Sequence, residues 1–287
     1  MSSDTGSGVR SDTSGEPFRG GEVELFADAD RPGGWLLLVD RIRQSYVDVD
    51  DPTYLDFEYV QSFADIIDLL PIGPLAVTHV GGGACTLARY VATTRPRSSQ
   101  IVLEPDAALT AVVRACLPFP RQARIRVREI DGRQGVAALR DASADVLVLD
   151  AFHGGRVPSE LATTEFFADA ARVLRPDGVL LANIADGPPL RYTRRLVTSV
   201  AGLLPEVTLR TDPAVFRGRR FGNVVLAASR VSLPVADLIR IAAGAMFPQR
   251  VLAGAELTAF VGGASALTDA DRMRSPAPPD EIWRVPG

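Results

Sequence analysis

Through the middle of the chain, short apolar runs rich in β-branched residues alternate with longer stretches of helical spacing. This alternation is the pattern of βαβ units that feed a parallel sheet. The runs predict strands at 75–80, 100–104, 124–130, 145–150, 178–184, 206–210 and 223–228, with helices between them at 87–93, 107–116, 134–140, 160–174 and 190–204. Only residues 210–222 (RTDPAVFRGRRFG) separate the last two strands, too few for a crossover helix, so those strands should pair antiparallel. The expected fold is α/β, a Rossmann-like class I methyltransferase fold with a seven-stranded, mostly parallel sheet ending in an antiparallel hairpin. Two further runs, 34–40 and 44–49, predict a small N-terminal β cap, while 233–243 and the Leu257 region suggest a helix and one more strand.

The domain expectation follows from these elements. Residues 1–21 are polar and glycine-rich, too poor in apolar surface to offset the entropy of ordering, and read as a disordered tail. Residues 22–70 form the cap and a linking helix, 71–230 a Rossmann-like nucleoside-binding domain, and 231–287 a C-terminal extension. From Ser275 onward four prolines in thirteen residues exclude regular structure, and this tail either stays loose or docks through Trp283.

Composition narrows the function classes. With 46% hydrophobic residues in 287 the chain can bury an ordinary core. Its net charge is −4 and its 31 basic residues are scattered, which argues against a nucleic-acid partner. No apolar run nears the roughly 20 residues of a membrane span, and the N-terminus lacks the basic and apolar segments of a secretory signal. Cys85 and Cys116 form neither a disulfide framework nor a metal-ligand spacing. A cytoplasmic protein with no metal and no membrane partner is expected.

The segment Thr78–Thr86 (THVGGGACT) sets Gly81, Gly82 and Gly83 directly after the first parallel strand and before a helix. Glycines let the backbone turn sharply and approach a ligand, and the helix presents free amides. Thr86 stands where a dinucleotide loop would place its third glycine, so the triplet also fits a plain strand-to-helix turn. Three acids, Glu104, Asp131 and Asp150, end the next three strands, where open α/β sheets bind ligands. Glu104 suits a pair of ribose hydroxyls. Asp131 suits an adenine amino group, with Gly132 leaving room for the flat ring, and Asp150 faces the reacting end.

Gly81-Gly82-Gly83, Glu104-Pro105-Asp106, Asp131-Gly132 and Leu149-Asp150 resemble the motif series of the spermidine synthases, the polyamine aminopropyltransferases. The likeness extends to Gln44, which is similar to a glutamine near the nucleoside, and to Phe57-Glu58-Tyr59, similar to the segment with the active-site tyrosine. It also covers Val157-Pro158 through Phe167, similar to the gate loop and the helix behind it. The resemblance implies decarboxylated S-adenosylmethionine or S-adenosylmethionine as co-substrate, no metal, an amine or other small nucleophile as partner, and a homodimer. It implies aminopropyl transfer with Asp150 as base and Tyr59 as its helper. Two departures stand out. Tyr59 is followed by Val60-Gln61 in place of His-Glu, and His153 stands where the second, amine-binding aspartate belongs. His153 reads either as a base toward a less cationic nucleophile or as a polar loop residue; Tyr59 as an orienting hydroxyl or as simple packing; His79 as a core residue. The loss of amine-binding acids keeps two other functions open, a methyltransferase acting on a non-polyamine acceptor and a catalytically silent nucleoside-binding protein.

Overall fold

The computed structural model describes residues 18–20 and 23–279. Most of the tail read as disordered, and Trp283 with its docking, lie outside the described residues. Four antiparallel strands form the cap: β1 (Phe18–Gly20), β2 (Val23–Ala27), β3 (Gly34–Val39) and β4 (Ile42–Asp48). Helix α1 (Glu58–Asp68) links the cap to β5 (Ala76–Val80), and the alternating series follows: α2 (Thr86–Thr94), β6 (Ser99–Leu103), α3 (Ala107–Cys116), β7 (Arg124–Arg128), α4 (Gly132–Ala137), β8 (Ala144–Leu149), α5 (Thr164–Val173), β9 (Leu174–Asp186) and α6 (Arg191–Ala201). The chain then adds β10 (Glu206–Thr211), the single turn α7 (Pro213–Phe216), β11 (Gly222–Ser229), α8 (Val235–Ala243), β12 (Arg250–Ala253) and α9 (Gly254–Val261).

In the main sheet the order is β12-β10-β11-β9-β8-β5-β6-β7. Strands β5 to β9 pair parallel, and β11 returns antiparallel against β9 and β10. The seven expected strands are present. An eighth, β12, lines the edge antiparallel to β10, with Val251 opposite Arg210. Leu257 lies on α9 and not on a strand, because Gly254 at φ +52° ends β12 and helix-forming residues follow. Strand order reverses at β5, which has β6 on one side and β8 on the other. That switch point opens a crevice beyond the carboxyl ends of the strands.

Capping decides where helices start. Asp131 accepts from the Arg133 and Gln134 amides and so begins α4 at Gly132, two residues before the expected start. Thr163 accepts from the Phe166 amide, which begins α5 after a short turn at Ser159–Leu161.

Burial on both faces explains the continuous apolar runs. Along β8, Leu147 and Leu149 join Phe166, Phe167 and Tyr192 on one face, while Val146 and Val148 join Phe63, Ile67 and Val225 on the other. The cap is a third cluster, in which Leu25, Leu37 and Val47 pack on Leu109, Val113 and Leu117, positioning β4 over the glycine loop. Two bonds fix that position: Thr86 Oγ1 donates to the Tyr46 carbonyl at 2.8 Å, and the Ala84 amide donates to Ser45 Oγ at 3.2 Å. The C-terminal segment returns along α4, α6 and the loop after β8. Asp269 pairs with Arg133, Asp271 with Arg195, and fully buried Ser275 accepts from the Val157 amide at 2.9 Å. The start of the proline-rich tail is therefore docked, through Ser275.

Candidate functional site

β5 ends at the glycine loop, where geometry demands glycine at two of three positions. Gly81 has φ +98°, and a Cβ there would lie 2.2 Å from the Asp150 carbonyl oxygen, so no other residue lets the two strand ends approach so closely. Gly83, at φ +48°, sits against Ser45 Oγ. Gly82 is less constrained; its Cβ would meet Glu104 and Val102 at 3.2 Å.

Beside the loop stands Glu104, held by the backbone. Its Oε2 accepts from the Gly82 amide at 2.9 Å and its Oε1 from the Asp106 amide at 3.1 Å. A carboxylate offers about four lone-pair sites, so these two bonds leave room for hydroxyls on the same group. Burial raises its pKa, and the backbone bonds oppose the rise. Asp131 spends only Oδ1 on capping α4; among the described residues its Oδ2 takes no bond. Gly132 has a packing reason of its own. A Cβ there would collide with Val80 Cγ1 at 2.5 Å, so this glycine also admits core packing under the loop.

Asp150 follows β8 and receives two donors, Tyr59 Oη at 3.2 Å on Oδ2 and Asn183 Nδ2 at 2.9 Å on Oδ1. Desolvation pushes its pKa up to about 6, with the two hydrogen bonds pulling against that rise. Tyr59 is raised well above its ordinary value, by burial first and then by the facing carboxylate. Its ring also packs edge-on against Phe63 with centroids 5.9 Å apart, so the packing reading holds while the hydroxyl is engaged with Asp150.

Tyr59 borders two spaces. One is a narrow recess of about 40 Å³ that reaches Gly81, Gly82 and Asp150. The other is a cavity of about 470 Å³ with Gln44, Glu58, Asn183 and Asn223 on its walls. Its other acids are engaged: Asp56 faces Arg43 at 3.6 Å and Asp212 faces Arg220 at 3.4 Å. Arg210, also on the wall, is held by Asp65 and by Gln249, which lines the cavity too.

Of the residues singled out in the sequence, the fold gathers Gln44, Tyr59, Gly81, Gly82, Gly83, Glu104 and Asp150 around this crevice, with Asp131 and Gly132 at the tip of α4. His153 is not brought to Asp150. Its backbone pairs with Arg156 in both directions, at 2.8 and 3.2 Å, and its side chain is exposed, while the flanking Phe152 and Gly155 reach the cavity. His79 is a core residue. Gln100 donates Nε2 to the Ala88 carbonyl, so its Oε1 accepts from His79 Nε2 at 2.9 Å, and burial lowers the imidazole pKa to about 4. Asn183 and Asn223 are not among the residues singled out in the sequence. The available signal is an amide inside the apolar run GVLLANIA, since a polar group is buried there only with a partner or a purpose.

A parallel sheet with a reversed terminal hairpin and a crevice at its switch point defines a Rossmann-like protein of the class I methyltransferase type. No protein-family model matches the chain. A solved structure described as a probable spermidine synthase from Corynebacterium glutamicum is similar at 30% identity and TM-score 0.81, covering 88% of this chain and 96% of that one. A polyamine aminopropyltransferase from Chromobacterium violaceum is 28% identical over 192 residues, 66% of this chain and 69% of the relative. The chain belongs to the spermidine-synthase-like family of polyamine aminopropyltransferases. The spermidine synthase of Thermotoga maritima shares the fold at 15% identity, with TM-score 0.55 over 89% of this chain and 81% of that one.

Proposed function

We propose that this protein transfers the aminopropyl group of decarboxylated S-adenosylmethionine to an amine. The observation that carries the reading is the Tyr59–Asp150–Asn183 cluster, standing between the glycine loop and the 470 Å³ cavity. Glu104 and Asp131 would hold the ribose and adenine, and Gln44, reaching over from the cap, would close the nucleoside side. The amine enters from the cavity. Its nitrogen lone pair forms the new bond to the carbon on the sulfonium, the carbon–sulfur electrons go to sulfur to leave neutral methylthioadenosine, and Asp150 takes the proton. With a pKa of about 6, Asp150 is ionised at neutral pH yet more basic than an ordinary carboxylate. Tyr59 and Asn183, each donating to one oxygen, keep the carboxylate oriented.

Titration calorimetry with decarboxylated S-adenosylmethionine, S-adenosylmethionine and methylthioadenosine tests the co-substrate. The Asp150 carboxylate at the reacting end repels a methionine carboxylate, so the decarboxylated form should bind about tenfold tighter or better. The reverse order would move the reading to methyl transfer.

A further inference from the structure

Every arginine on the cavity wall already has an acid. Arg43 faces Asp56 at 3.6 Å, Arg220 faces Asp212 at 3.4 Å, and Arg210 pairs with Asp65. One wall acid is left over, Glu58, whose carboxylate makes no hydrogen bond or ion pair with any described residue. The residue is half-buried, and its oxygens are not among the buried atoms that lack a partner, so they keep accessible surface. Helix geometry aims the side chain. Glu58, Ser62 and Asp65 stand at i, i+4 and i+7 of α1 and share one face; Ser62 lines the same cavity, and Asp65 reaches Arg210 on its wall. On the same turn, Tyr59 donates to Asp150. The first turn of α1 therefore carries both the hydroxyl that orients Asp150 and a carboxylate with no cation of its own.

We propose that Glu58 selects the acceptor, taking a cation on the far end of the amine while the near nitrogen reacts at Asp150. The acceptor class is a primary amine with one further cationic group. Selection comes from the residue before Tyr59, and not from Gln61 and His153, the positions at which the resemblance places amine-binding acids. One relocated carboxylate thus does the work of two lost ones. A second cation farther along the acceptor meets only acids that already face arginine, so it adds little. The identity of the reacting end rests on the aminopropyl-transfer reading; the far-end selection does not.

The test measures binding of putrescine, butylamine, spermidine and 4-aminobutyrate to protein saturated with methylthioadenosine, in wild type, Glu58→Gln and Glu58→Lys. The wild type should bind putrescine about 10- to 150-fold more tightly than butylamine, the worth of one charge-assisted bond. Spermidine should stay within about fivefold of putrescine, the usual limit for an exposed ion pair. The preference for putrescine should shrink as ionic strength rises from about 0.01 M to about 1 M, because screening shortens with salt. Glu58→Gln should cut that preference about tenfold, a neutral bond replacing a charged one, and remove its salt dependence, with butylamine and methylthioadenosine affinities unchanged as the sign of an intact fold. Glu58→Lys should turn the preference to 4-aminobutyrate, whose far end is a carboxylate. Four results would overturn the assignment: putrescine no tighter than butylamine in the wild type, a Glu58→Gln protein that keeps the wild-type preference and its salt dependence, a Glu58→Lys protein that still prefers putrescine, or spermidine more than about tenfold tighter than putrescine. The expected binding pattern without any aminopropylated product would leave Glu58 in its role and refute the proposed reaction. Product formed from putrescine with the same KM in wild type and Glu58→Gln would do the reverse.

Discussion

The side of the crevice proposed to hold the nucleoside and the side proposed to hold the acceptor are built differently. On the first, three glycines, Glu104 and Asp131 come from the tips of consecutive parallel strands, and backbone amides hold both oxygens of Glu104. On the second, residues from β4, α1, the loop after β8, β9 and β11 converge on one cavity, and its acids are paired with arginines or left alone. Local backbone geometry fixes the first region, so point changes there should act by strain or by loss of one ligand contact. The second depends on side chains from distant segments, so its chemistry can drift while the fold persists.

Changing Asp150 to Asn should cost the most, about 10²- to 10⁴-fold in turnover, the usual worth of a general base. Steady-state rates against pH sharpen the point. Wild-type activity should rise with pH through about 6, where Asp150 loses its proton. The same group sets a stability trend. Its folded pKa lies above the unfolded value of 3.8, so the stability it contributes is present below pH 3.8 and lost as pH rises through about 6. An amide at this position has no charge to desolvate, so thermal melts of Asp150→Asn should exceed wild type at pH 8, with the gap closing below pH 4.

On the nucleoside side, Glu104→Ala should weaken methylthioadenosine by about 10- to 150-fold, as charge-assisted bonds worth about 1.5–3 kcal/mol are lost. Calorimetry reads this directly, and unchanged affinity would break the assignment of Glu104. The glycines should separate by mechanism. Gly81→Ala meets backbone at 2.2 Å and should fail to fold or melt far lower, whereas Gly82→Ala, with contacts at 3.2 Å, should keep the wild-type melt and lose nucleoside. Equal melting temperatures for the two would contradict the geometry.

His153→Ala should change turnover least, by less than about threefold, because an exposed loop side chain with no bond to Asp150 adds little. A loss comparable with Asp150→Asn would mean that the loop after β8 rearranges to bring the imidazole in.

The contrast between the two regions also explains what is legible in the sequence. Strands β8 and β9 carry apolar runs that stand out because the sheet is covered on both faces there, whereas β7 at the edge alternates Arg with Ile and Val, and Gly81 to Gly83, Glu104, Asp131 and Asp150 lie at fixed offsets from strand ends. Position along a motif locates Asp150 but leaves His153 open between a base and a loop residue, and the structure has its backbone paired with Arg156 and its side chain exposed. Asn183 is signalled only as an amide inside the apolar run GVLLANIA and Asn223 carries no such signal; the antiparallel register of β9 and β11 brings them onto one wall. Leu257 reads as strand in the sequence because its apolar neighbours fit either period, and Gly254 decides for helix. Gly132 reads as clearance for a ligand, and its contact with Val80 beneath it is invisible without the fold.

The central claim is a sulfonium displacement with Asp150 as base, and mass-spectrometric product analysis tests it most directly. Incubated with decarboxylated S-adenosylmethionine and a primary amine, the wild type should yield methylthioadenosine and the aminopropylated amine in equal amounts, and Asp150→Asn should yield neither above background. Failure to release methylthioadenosine with any amine, or equal product from Asp150→Asn, would contradict the account.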